Sequence, residues 1–366
     1  MKYLSEFRAK PFIDALLAEI AKEAAPGTRY TFMEVCGTHT VAIARYGLKR
    51  LLPGAIRLVS GPGCPVCVTS TAYIDAAIAR AMRPEVTIAS FGDMIRVPGS
   101  AATLEAAKAR GADVRVVLSV LDALALARAR PERTVVFLGI GFETTVPTTA
   151  AALARARADG VRNFLVASAH KTMPVPMRAL ASDPAAAVEG YICPGHVCTV
   201  AGLGPFAPLV EEFHVPAAIA GFEPTDVLAA VLALVRQRNR GEGRLENLYR
   251  RSVRDEGNPK AWHLVESVFE PADAWWRGLG VLPGSGLALR REYAAHDADA
   301  ALPVEAGPPR EPAGCRCGDV LKGIIEPEGC PLFGKACTPE RPVGACMVSS
   351  EGACHAAHRW GRLSES

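Results

Sequence analysis

The sequence predicts an α/β protein: two similar, Rossmann-like parallel-sheet lobes facing a cleft, with a small cysteine-rich C-terminal domain behind them. Three observations lead there. From residue 29 a short β-branched run ends in a Gly/Pro/polar knot, an Ala-rich helical stretch follows, and the unit recurs. The unusual residues gather in those knots. The rhythm then stops near residue 240, beyond which six of the eleven cysteines crowd between Cys315 and Cys354.

Taken in order, residues 1–27 read as an amphipathic helix. "MKYLSEFRAKPFIDALLAEI" carries acids inside its apolar periodicity, which argues against a leader peptide. The first lobe is expected over 28–122. There "RYTFMEV" runs into "CGTHT", "AIRLVS" into "GPGCPVC", and "EVTIAS" into "FGDMIRVPGS". The second lobe is expected over 123–240, where "TVVFLGI" runs into "GFETT", "NFLVASA" into "HKT", "EGYI" into "CPGH" and "PAAIA" into "GFEPTD". Strands of four to seven residues alternating with helices specify βαβ units and a mostly parallel sheet. In such sheets the ligand crevice lies outside the carboxyl ends of the strands. Cys36, His39, Cys64, Cys67, Asp93, Glu143, His170 and His196 all follow strands, so two lobes facing each other would gather them.

The third part is expected over 241–366. "AWWRGLGVLPGSGLALRREY" reads as a hairpin or irregular β segment, and "ALPVEAGPPREPAG" as a Pro-rich linker into the cysteines.

Composition excludes several classes. A net charge of +3 over 366 residues is too small to point to nucleic acid. The best candidate for a membrane span, "AAIAGFEPTDVLAAVLALV", is broken by Glu223, Pro224 and Asp226. A soluble cytoplasmic protein is expected, and reducing cytosol turns a cysteine pattern toward metal or redox chemistry.

The C-terminal thiols, Cys315, Cys317, Cys330, Cys337, Cys346 and Cys354, have irregular gaps and no paired C-x-x-C knuckles. That pattern favours a 4Fe-4S cluster, with structural zinc as the alternative. Four ligands from six cysteines leave two that can cycle between dithiol and disulfide. Cys64 and Cys67 form a C-P-x-C leading into a helix, as in redox dithiols whose first thiol is acidified by helix amides. A zinc site completed by Cys36 and His39, or a tight turn of small packing residues, are the competing readings. "MEVCGTHT" puts a thiol and an imidazole three apart where a helix begins, and Fe(II) accepts both together. A Cys–His nucleophile or a helix-capping histidine are the alternatives. Asp93, Glu143 and His196 either line the cleft or close loops by capping amides. "GIGFETT" lacks both the G-x-G-x-x-G pattern and a phosphate-binding lysine.

With these motifs assembled, the chain resembles the HypD family of hydrogenase maturation factors over nearly its full length. The matching segments are "MEVCGTHT", "SGPGCPVCVT", "FGDMIRVPGS", "GFETTVPTTA", "PGHV", "WRGLGVLPGSGL" and "CPLFGKACTPERPVGACMVSSEGAC". The resemblance implies a scaffold for assembling the Fe(CN)2CO group of [NiFe]-hydrogenases. It implies a HypC-type chaperone that contributes a cysteine, and HypE as the donor of cyanide carried as a thiocyanate. On the family pattern Cys36, with His39 beside it, holds a transient Fe(II) carrying cyanide and carbon monoxide. Cys64 and Cys67 supply the two electrons that C–S cleavage consumes. The same pattern makes the C-terminal domain an iron–sulfur domain, resembling ferredoxin:thioredoxin reductase. Cys315, Cys330, Cys337 and Cys354 become the 4Fe-4S ligands, and Cys317 and Cys346 the redox pair. Family members commonly carry Ser where this chain has Cys198, so Cys198 is given no role, and Cys193 reads as a buried packing residue. An iron–sulfur-dependent thiol–disulfide oxidoreductase is the alternative function.

Overall fold

The structure, a computed structural model, describes residues 6–361, so residues 1–5 of the expected N-terminal helix and 362–366 of the expected C-terminal domain lie outside it. Among the described residues there are eleven strands: β1 (Tyr30–Glu34), β2 (Ile56–Ser60), β3 (Val86–Ser90), β4 (Asp113–Val116), β5 (Thr134–Gly141), β6 (Phe164–His170), β7 (Gly190–Pro194), β8 (Ala217–Ala220), β9 (Leu245–Asn247), β10 (Phe269–Trp276) and β11 (Gly280–Leu289). They form a five-stranded sheet ordered β2-β1-β7-β8-β9, a four-stranded sheet ordered β4-β3-β5-β6, and the β10-β11 hairpin. Every pairing in the two larger sheets is parallel, and the hairpin is antiparallel. The α/β parallel-sheet reading and the hairpin therefore hold.

The expected division at residues 122 and 123 does not follow the sheets. The chain lays down β1 and β2, leaves to build the whole four-stranded sheet, and returns with β7, β8 and β9. Register explains the return: Met33 lies opposite Tyr191 and Glu34 opposite Ile192, so β7 occupies the free side of β1. Repeating βαβ units look alike in sequence whichever sheet they join, so the sequence rhythm could not show this interleaving.

Side-chain alternation fixes the layers. Tyr30, Phe32, Ile192 and Ala218 turn one way, onto the helices Lys10–Glu23 and Pro224–Arg240. Met33, Val35, Tyr191, Cys193 and Ile219 turn the other way, into the interior. Strands covered on both faces carry the near-continuous apolar runs seen here. The helix Pro224–Arg240 starts at a reciprocal capping box of Glu223 and Asp226 with Pro224 in its first turn, and ends at left-handed Gly241.

The C-terminal cysteines do not close around a core of their own. Cys317, Cys337, Cys346 and Cys354 share one apolar cluster with Cys64, Cys67, Trp276 and the inner face of the five-stranded sheet. The Pro-rich stretch over residues 303–312 has no regular structure. It is strapped down by Arg83, which donates to the Pro303 carbonyl (2.7 Å), and by the Arg310 amide, which donates to Thr71 Oγ1 (2.8 Å). Among the described residues no helix is long and apolar enough to cross a membrane.

Candidate functional site

Each sheet reverses its strand order once, between β1 and β7 in one and between β3 and β5 in the other. Ligands of open α/β sheets bind at such switch points, outside the strand ends. Here both switch points face one cleft of about 460 Å³. Its walls include Cys36 and Thr38 after β1, Pro65 and Val66 after β2, Phe91 after β3, Phe142 and Thr145 after β5, and His196 after β7.

Cys36 is the N-cap of the helix Gly37–Arg45 and is almost fully buried at the cleft wall. Burial pushes its thiol up to about 12, while the facing amides of Thr38 and His39 pull the other way. A metal ion would offset that desolvation, because a coordinated thiol loses its proton. The turn is braced from below by Glu34, whose carboxylate accepts the Cys36 amide (3.0 Å) and Thr40 Oγ1 (2.6 Å). Burial lifts the Glu34 carboxyl to about 7. From the C-terminal segment Glu351 reaches over, accepting Thr38 Oγ1 (3.0 Å) and lining the cleft beside Cys36. The reading of the sequence missed both acids. Glu34 had a signal, an acid inside an apolar strand; Glu351 lies too far away in sequence to have had one.

His39 does not line this cleft. Its Nε2 donates to the Gly221 carbonyl (2.9 Å) and its ring packs on Phe222, with centroids 4.7 Å apart. Nδ1 keeps a buried lone pair with no hydrogen-bond partner among the described residues. Burial lowers the imidazole to about 4. Cys36 caps the helix in extended backbone (φ −145°), so its thiol and the His39 ring are not held in helical phase. Of Asp93, Glu143 and His196, Glu143 closes a loop: Oε1 accepts the Met173 amide (2.9 Å) and the buried side chain does not line the cleft. Asp93 is half-buried in the short helix Gly92–Arg96 and likewise does not line the cleft. His170 is buried, its Nε2 3.4 Å from Thr149 Oγ1. His196 lines the cleft, with its ring stacked on Phe222 at 4.0 Å between centroids.

Cys64 and Cys67 are joined as a disulfide directly beneath the cleft wall. They do not sit at a helix N-terminus as expected. The following helix begins at Thr71, with Ser70 as its cap accepting the Tyr73 amide. Pro65 and the turn delay the helix, and the Cys67 amide instead points at Cys64 Sγ (3.2 Å). The Cys36 and Cys64 turns touch: the Gly37 amide donates to the Gly63 carbonyl, and a Cβ on Gly63 would lie 2.2 Å from the Cys36 nitrogen.

The six C-terminal thiols all line one small pocket, with Leu332, Phe333 and Met347 among its other walls. Cys317 Sγ and Cys346 Sγ are 2.6 Å apart. Thiols at Cys315 and Cys346 turned toward Cys317, with the charge of Arg277, hold Cys317 well below the usual thiol range, and Cys315 and Cys346 rise in return. Six thiols, with no oxygen or nitrogen side-chain donor in that lining, fit the soft thiolate set of an iron–sulfur cluster. Among the described residues no three His, Cys, Asp or Glu side chains converge tightly enough to hold a single metal ion. Cys193 and Cys198 are buried and free, as packing residues are.

Comparison with known proteins adds to this geometry. Residues 11–361 match the family model HypD, described as "Hydrogenase formation hypA family". The chain is 47% identical to the hydrogenase maturation factor HypD of Rhizobium leguminosarum bv. viciae, over 100% of this chain and 97% of that protein. It is 47% identical to the HypD of Rhodobacter capsulatus (99% and 98% covered) and 43% identical to that of Escherichia coli K12 (98% and 98%). The cleft with its buried thiol, the disulfide beneath it and the thiol pocket behind it thus lie on a chain that aligns over almost its whole length with these relatives, and the protein belongs to the HypD family of hydrogenase maturation factors.

Proposed function

We propose that this chain holds the iron of a hydrogenase Fe(CN)2CO group while its diatomic ligands are added, with Cys36 as the thiol that grips the metal. One observation carries this reading: the Cys36 turn and the Cys64–Cys67 disulfide turn are in backbone contact at the ends of neighbouring strands. Cargo and electron store then work within one side chain's reach. Low-spin iron bearing cyanide and carbon monoxide needs soft, electron-rich ligands, which thiolate supplies. His39 could join only through Nδ1, since Nε2 is committed to Gly221.

Cyanide would arrive as a thiocyanate on a HypE-type donor. Cleaving its C–S bond takes two electrons. The reduced Cys64 and Cys67 thiols give them up and close to the disulfide; of their two protons one goes to the departing sulfur and one to solvent. Cys315, Cys330, Cys337 and Cys354 would hold a 4Fe-4S cluster, which when bound supplies electrons singly to reopen that disulfide. Cys317 and Cys346, whose sulfurs stand 2.6 Å apart, are the pair suited to exchange with it. A HypC-type chaperone would complete the iron site from the open side of the cleft, in the reducing cytoplasm.

The test is Cys36→Ser in the complex with the chaperone. Iron content and the infrared bands of bound cyanide and carbon monoxide should vanish while cluster absorbance persists. Normal bands in that variant would remove the assignment, and would leave the thiol–disulfide oxidoreductase reading, which has no use for Cys36.

A further inference from the structure

The turn between β10 and β11 exposes Gly278 but sends its first side chain inward: Arg277 is 1% exposed. A guanidinium has five donors and cannot shed its charge, so burying it costs several kcal/mol unless those donors are met. Nε donates to the Cys67 carbonyl (2.9 Å), Nη2 to the Thr69 carbonyl (2.9 Å), and Nη1 pairs with Glu311. The amide of Arg277 donates to the Val68 carbonyl (3.3 Å). Three consecutive carbonyls leaving the disulfide therefore end on one residue. Behind it Gly278 (φ +80°) backs onto Gly318, where any Cβ would lie 2.7 Å from backbone atoms. The same turn thus touches the disulfide segment on one side and the start of the Cys317 helix on the other.

Cys67 is fully buried. Cys64 is nearly so, and a thiol from solution needs an opening of the disulfide turn to reach either sulfur. That movement breaks both charge-assisted bonds and strands a buried cation. We propose that Arg277 is a positioning residue for the Cys64–Cys67 couple, its fork holding the disulfide turn shut against the C-terminal thiol pocket and out of reach of solution thiols. The proposal rests on the reading above that this couple is cycled, but the shut turn can be tested without it. Lysine would keep the charge and lose the fork, because an ammonium is a point donor that cannot span two carbonyls.

The experiment follows reduction of the oxidised couple in the full-length protein by dithiothreitol, trapped by alkylation and read by peptide mass. In this step the Sγ–Sγ bond breaks and each sulfur gains a proton, while dithiothreitol gives up two electrons and two protons and closes to its cyclic disulfide. Arg277→Gln and Arg277→Lys should both be reduced at least tenfold faster than the parent. Glu311→Gln, which leaves both carbonyl bonds in place, should stay within about threefold. Where Arg277→Gln does not fold, Arg277→Lys decides. A parental rate in Arg277→Lys overturns the clamp, as does an equal acceleration in Glu311→Gln, which would make charge balance the cause. Failure of the maturation reading would show separately, as normal maturation by a Cys64→Ser/Cys67→Ser protein.

Discussion

The Gly37 amide donates to the Gly63 carbonyl at 3.1 Å, and this bond ties the turn bearing Cys36 to the turn bearing Cys64. The two turns start level because β1 and β2 run in parallel register, with Glu34 opposite Ser60. A side chain on Gly63 would meet the Cys36 nitrogen at 2.2 Å and the Val35 carbonyl carbon at 2.3 Å, backbone atoms that cannot swing aside. Gly63→Ala should therefore cost about 1–3 kcal/mol or more and part the turns. Thermal unfolding checks it, and an unchanged Tm would mean that the turns are not packed this way.

His39→Gln separates two roles for one imidazole. The ring braces Gly221 and Phe222, so its loss should lower stability by about 1–3 kcal/mol. Because the ring does not line the cleft, iron co-purifying with the chaperone complex should stay near the parental level. Iron loss without a fall in Tm would make Nδ1 a ligand instead.

Glu143 gives a pH signature. Burial raises its carboxyl from 4.5 to about 7, and Oε2 has no hydrogen-bond partner among the described residues. An acid with a higher pKa folded than unfolded binds more protons when folded. Its contribution is then fully present below about pH 4.5 and lost as pH rises through 7. Glu143→Gln cannot ionise, so its stability relative to the parent should climb across that window, by up to about 3 kcal/mol. Urea unfolding at pH 5 and pH 8 measures it; a difference that does not change with pH would refute it.

Cys317 and Cys346 should be the first C-terminal pair to oxidise. In metal-stripped protein, mild oxidant should join them before any other combination, because their sulfurs already stand 2.6 Å apart. Peptide mapping reads the link, and Cys346→Ser should abolish it. Cys193 and Cys198, buried and free, should remain unreactive.

Much of the fold could be read from local pattern. The strand ends carried the unusual residues, and the structure gathers the turns after β1, β2, β3, β5 and β7 at one cleft, as parallel-sheet logic requires. What local pattern misread was geometry one step removed. The spacing of Cys36 and His39 suggested a shared target, yet a capping residue in extended backbone is not in helical phase. Cys64 seemed to open a helix that in fact starts at Thr71. The partners of the site, Glu351 over Thr38 and Arg277 under Cys67, come from hundreds of residues away, where neither periodicity nor spacing carries information.

Interleaved sheets also impose an order of events on the ribosome. β1 and β2 emerge early, but the side of β1 that β7 covers must wait for residues 190–194. At ordinary synthesis speeds that wait is on the order of ten seconds. Throughout it the thiol of Cys36 belongs to a half-built edge, open to any oxidant or stray metal in its surroundings. The four-stranded sheet, made of one continuous stretch, has all its strands by then, so the newborn chain carries one paired sheet and one reactive seam until residues 190–194 arrive.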